Sequence, residues 1–157
     1  MNTRIKQRLF QSAAAKVPLH ILLCGYLAGC ASPELKAITY QEAITQYQQG
    51  GGIENYRCVL VPADEKYQPL PDAQPIAVEV DDVLFVKIAG SVQKLQQTGI
   101  SETHTTYAHA DMNATLTTVR QFNYSEYYES DDRHVDLAFE MSEKTETYKT
   151  FGAACGL

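Results

Sequence analysis

The residues able to do chemistry are gathered in a few places. The stretch Thr103-His104-Thr105-Thr106-Tyr107-Ala108-His109-Ala110-Asp111 holds two imidazoles and a carboxylate. Side chains alternate along a strand, so His109 and Asp111 would share a face there and could converge on zinc or copper. No cysteine stands beside them and the helical His-x-x-x-His spacing is missing, so they read as polar surface residues and no metal is expected. The 19 Asp and Glu residues could supply the carboxylate pair of a glycosidase, but their spacing singles out no two of them. Serine, histidine and aspartate occur without the Gly-x-Ser-x-Gly elbow that exposes a nucleophile, and no glycine-rich phosphate loop precedes a helix. The chain is therefore not expected to be an enzyme or to hold a cofactor. Tyr124, Tyr127 and Tyr128 cluster. Tyrosine offers rigid amphipathic contact area for a partner, yet packing within the fold is the preferred reading.

The four cysteines are more telling. Leu27-Ala28-Gly29-Cys30 resembles the lipobox of bacterial lipoproteins. Upstream lie Arg4, Lys6, Arg8 and Lys16 with no acid among them, then the apolar run Ile21 to Leu27. That run is shorter than the roughly 20 apolar residues of a membrane span. Residues 1–29 thus read as an export signal. The lipobox likeness implies cleavage before Cys30 and lipidation of that cysteine; a plain secretory signal is the alternative. Ala31 in place of Asp points to the outer membrane, and two or more acyl chains would anchor the protein stably. Cys24 leaves with the signal, so Cys58 and Cys155 remain, and in an oxidising compartment they most simply form one disulfide. It would close a loop of about 100 residues, worth about 4–5 kcal/mol in the chain-entropy treatment.

Residues 30–157 make one domain's worth of chain. The signal takes four of the 13 Lys and Arg and no acid, leaving nine basic against 19 acidic residues, a net charge of −10. Such a balance argues against nucleic acid and fits a cationic partner. Residues 33–49 read as a short helix, with Ser32-Pro33-Glu34 as its start and Gly50-Gly51-Gly52 as its end. Residues 30–54 are taken as a lipid-anchored spacer, able to dock on the domain. From residue 55 the pattern turns to strands. Tyr56–Val61 is rich in strand formers, and four prolines mark 62–75 as a loop. Ile76, Val78 and Val80 are placed on one face, with a turn at Asp81-Asp82. Residues 113–122, 122–128 and 146–151 read as strands. The clearest alternation sets Val135, Leu137, Phe139 and Met141 against His134, Asp136 and Glu140. Seven or eight short strands with almost no helix give an all-β fold, a small antiparallel barrel over 55–157 or else a sandwich.

Three fragments carry a family resemblance: Tyr56-Arg57-Cys58, then Leu95-Gln96-Gln97-Thr98-Gly99-Ile100-Ser101 leading to Tyr107, and Cys155-Gly156-Leu157. Together they resemble the membrane-bound inhibitors of C-type lysozyme, small bacterial lipoproteins. The resemblance covers about a third of the chain after the signal. It implies an eight-stranded antiparallel barrel with one disulfide, and a loop that enters the lysozyme cleft, where a serine and a lysine engage the catalytic carboxylates. Ser101, Thr103 and Tyr107 match the family's loop motif, while His104 stands where the family has glycine. The family's Trp-Ser-Lys segment has no counterpart, since the chain has no Trp, and Arg120 is the nearest downstream cation but out of register. The expectation is an outer-membrane lipoprotein whose barrel binds a protein, with C-type lysozyme as candidate, through Ser101, Thr103, His104 and Tyr107. The alternative is a structural, adhesin-like or ligand-carrying envelope lipoprotein without inhibitory activity.

Overall fold

The computed structural model describes residues 34–157. Cys30 and the signal segment lie outside the described residues. One helix, α1 (Tyr40–Gln49), precedes eight strands: β1 (Arg57–Pro62), β2 (Ala77–Val80), β3 (Val83–Ile88), β4 (Ser91–Ile100), β5 (His104–His109), β6 (Met112–Phe122), β7 (Ser130–Met141) and β8 (Lys144–Gly156). Each strand pairs antiparallel with the next, and β8 returns to β1, with Leu60 opposite Gly152 and Pro62 opposite Thr150, so the barrel is closed. Closure leaves no free sheet edge to recruit another chain. The expected all-β barrel is what the chain forms.

Strand alternation fills the interior. Val135, Leu137 and Phe139 of β7 point inward, joined by Leu60, Leu84, Leu95 and Leu116. Met141 packs against the same cluster at its edge. The strands β2 and β3 are buried on both faces. Ala77, Leu84 and Val86 face the interior, while Val78, Val80, Val83 and Phe85 face outward under Ile38, Ala43 and Ile44. Val78 and Val80 thus share a face as expected, but it is the outer one, and Ile76 lies before the strand and joins the interior cluster.

The helix is shorter than the expected 33–49. It begins at a capping box: the Thr39 hydroxyl accepts from the Glu42 N–H at 3.1 Å, and the Glu42 carboxylate accepts from the Thr39 N–H at 2.8 Å. Glu42 also accepts from Lys87 Nζ at 2.7 Å, which fixes the helix to β3 and, ahead of the Thr39 N–H, lowers the carboxyl pKa to about 2. The preceding residues are extended because their backbone is already paired. Lys36 N–H donates to Lys87 C=O and Ile38 N–H to Pro75 C=O, each at 2.8 Å. Leu35 joins the interior cluster, and its N–H donates to Tyr148 Oη at 3.3 Å. Residues 35–47 therefore belong to the core as well as linking it to what precedes. Residues 122–128 do not form a strand of their own: Phe122 ends β6 and the rest is a turn. Asn123 and Tyr128 take left-handed backbone conformations, and 123–129 forms the turn from β6 to β7.

Cys58 and Cys155 are bonded, as expected, and tie β1 to β8 across the closing seam. Gly152 lies against that bond. A Cβ there would come within 2.7 Å of both sulfurs. The proline-rich loop is held to the outer wall by Tyr67, whose ring stacks on His134 at 4.8 Å and whose hydroxyl donates to Asp136 at 2.6 Å.

Candidate functional site

Antiparallel order puts the 81–82 turn, the β4–β5 turn, the 123–129 turn and the end of β8 at one end of the barrel. The β4–β5 turn is short and tightly bonded. Ser101 N–H donates to His104 C=O at 2.8 Å, and His104 N–H donates to Ser101 Oγ at 3.1 Å. Thr118 N–H of β6 donates to Thr103 C=O at 2.8 Å, so the turn is pinned to the wall. The Thr103 hydroxyl and His104 Nδ1 lie 2.7 Å apart. Ser101, Thr103 and His104 are exposed, and Ile100 beside them presents 73% of its surface to solvent.

Tyr107 is different, and its expected place on a partner-binding loop is corrected. It is 1% exposed and points into the barrel, because the inward phase of β5 falls on Thr105 and Tyr107. Its hydroxyl donates to Glu79, which β2 places inside the barrel between outward-facing Val78 and Val80. Glu79 anchors a buried polar layer. Its second oxygen accepts from Tyr56 Oη at 3.0 Å, and Tyr56 Oη accepts from Arg133 Nη1 at 2.8 Å. Arg133 grips Asp131 with two bonds of 2.6 and 3.0 Å. Burial raises the Glu79 carboxyl above the usual carboxylate range, against the opposing pull of the Tyr107 and Tyr56 donors and of Arg133. Burial first, and the Glu79 charge second, raise both phenols as well.

This layer completes the filling of that end. The space beside Glu79, Leu116 and Arg133 is about 20 Å³. That is room for one water, whereas a drug-sized ligand needs roughly 300 Å³ or more. Outside, an open groove of about 350 Å³ runs between Glu54, Arg57 and Leu157.

The end face is acidic and aromatic. Glu54, Asp81, Asp82, Glu102, Glu126 and Glu129 lie in its turns and approaches. Tyr127 and Tyr128 are 75% and 78% exposed and Tyr124 half exposed, so they do not pack the barrel as expected from sequence. The polar residues weighed as metal ligands are spread out. His104 and His109 are at opposite ends of β5, and Asp111 accepts from Ser142 Oγ at 3.1 Å. Among the described residues no group of three His, Cys, Asp or Glu could hold a metal ion.

Two features of the site escaped sequence reasoning. Glu79 carried a usable signal, a lone charge in the apolar run Ile76–Val80. Arg133 and Asp131 carried none, since they sit among other charged residues just before the apolar alternation of β7. Compared with protein-family models, with curated proteins and with solved structures, the chain matches none of them.

Proposed function

We propose that the chain is a lipid-anchored protein of the bacterial outer membrane whose barrel binds a protein partner by occlusion, with C-type lysozyme as the candidate. One observation carries the reading. A closed, disulfide-tied barrel presents the exposed turn of Ser101, Thr103 and His104 on an acidic end face. Such a turn can enter a cleft without reordering, because its backbone is already bonded to β6. Opposite charge on a cationic enzyme would speed the encounter. The ligand-carrying alternative needs an interior cavity, and the interior holds side chains with about 20 Å³ to spare at Glu79. An adhesin-like role would use the same face with a different partner.

The test is a titration of the full-length protein, purified in a nonionic detergent, against a C-type lysozyme hydrolysing cell walls. Inhibition at sub-micromolar concentration that weakens in T103A supports the reading. A folded protein without inhibition at 100-fold excess removes lysozyme as partner. Fatty-acid labelling that persists in C30A would remove the anchor.

A further inference from the structure

The end face has a second protruding element, and it projects farther than the β4–β5 turn. The Thr103 carbonyl meets β6 at Thr118. From there β6 continues four residues to Phe122 before the chain turns. A bulge after Thr118 takes up one of them, since Phe122 pairs with Asp132 three residues before Val135, so at about 3.3 Å per residue the 123–129 tip begins roughly 10 Å beyond the other turn along the strand. The tip is ordered by its own bonds. Ser125 Oγ accepts from the N–H groups of Glu129 and Ser130 at 2.9 and 3.0 Å, and Ser125 N–H donates to Ser130 C=O at 2.8 Å. Leu157 N–H donates to Glu129 C=O at 3.1 Å, so the end of β8 braces the base. On this frame Tyr127 and Tyr128 stand in solvent, with Tyr124 beside Tyr128 at 5.4 Å between ring centres. Glu126 and Glu129 flank them.

We propose that this tyrosine-tipped hairpin, rather than the 101–104 turn, is the main recognition element, and that its occupant is the lysine- and arginine-rich surface of a cationic protein. The proposal rests on the protein-binding reading above but not on lysozyme being the partner. Ordered aromatic side chains bind at low entropic cost, and tyrosine faces flanked by carboxylates attract ammonium and guanidinium groups. The arginines of this end are Arg57, 3.6 Å from Glu54, Arg133, which holds Asp131, and exposed Arg120 over the Phe122 ring, so the carboxylates of the turns outnumber them. The face therefore offers a partner acids and aromatics. A second copy of the chain would set acid against acid, with −10 on each from residue 30 onward.

The experiment measures binding of the full-length protein in nonionic detergent to two cationic probes, a C-type lysozyme and a cytochrome c, with Y127A/Y128A, Y127F/Y128F and T103A/H104A beside the wild type. The expected result is binding to at least one probe, weakened about 30-fold or more in Y127A/Y128A, as for central aromatic contacts. Y127F/Y128F should retain it, and the melting temperature should not move. Binding to cytochrome c alone, with the same tyrosine dependence, would keep this proposal and remove lysozyme. Lysozyme binding that falls in T103A/H104A but not in Y127A/Y128A would do the reverse. Binding to neither probe, or a tyrosine-dependent dimer by sedimentation, would overturn the proposal.

Discussion

Removing the seam disulfide gives a test whose size follows from the fold. Cys58 and Cys155 are 97 residues apart in sequence. Cross-linking at that separation removes about 16 cal/mol/K of chain entropy from the unfolded state, or about 4.7 kcal/mol at 25 °C. The bond also sits where the barrel closes, with both cysteines buried against Leu60 and Gly152. In C58A/C155A the two small side chains remain inside, so little packing is lost. The stability loss should then lie close to the entropic figure. For a domain of this size, each kcal/mol moves the melting temperature by about 3–5 °C, so the expected drop is about 14–24 °C. The assay is thermal unfolding followed by circular dichroism, with and without reductant. Reductant should shift the wild type to the temperature of the variant and leave the variant unmoved. A variant melting within about 5 °C of the oxidised wild type would refute the claim that chain entropy at the seam governs stability.

Three further perturbations probe the interior and the wall. Glu79 has a raised folded-state pKa, so its contribution is fully present below the unfolded carboxyl value near 4.3 and is lost as pH rises through the folded value. E79Q keeps the acceptor for Tyr107, so its stability advantage over the wild type should grow from pH 4 upward in urea unfolding; an advantage for the wild type that grows with pH would contradict the assignment. G152A places a Cβ 2.7 Å from both sulfurs and should destabilise by about 1–3 kcal/mol by overpacking, read from the denaturation midpoint. Y67A removes the ring stacked on His134 and the bond to Asp136. It should speed amide exchange across 62–75 while the rest of the barrel keeps its protection, and uniform loss of protection would show instead that the loop is part of the cooperative core.

The barrel was legible where one face alone is buried. In β7 the period-two pattern of Val135, Leu137 and Phe139 has polar neighbours on the solvent side, and the strand falls where expected. The pattern misleads where both faces are covered. Leu35 and Ile38 are three apart, as on a helix, but they serve two different cores from an extended backbone. Motif spacing puts Tyr107 on a loop because it counts residues and not strand phase. The bulge between Gln97 and Gly99 resets the β4–β5 register, and no local property of the sequence shows which phase of β5 points inward. The tyrosines at 124–128 favour strands by propensity, yet two left-handed residues in the same segment place them on a turn.

The buried polar layer and the exposed tip are parts of one arrangement. A barrel of eight strands has an interior that side chains can fill, and here Tyr107, Tyr56 and Arg133 close one end through Glu79 and Asp131. Arg133 and Asp131 lie on β7 just beyond the tip, and Gln121 of β6 donates to Asp131 at 3.2 Å. The two strands that flank the tyrosine turn are thus tied at their base by a side-chain bond, in addition to their backbone ladder. Breaking the Gln121–Asp131 bond in Q121A should therefore loosen the tip before the barrel, read as faster amide exchange over 123–129 with unchanged protection elsewhere. That would lower affinity for a cationic partner through faster dissociation, because a loosened tip must be reordered on binding.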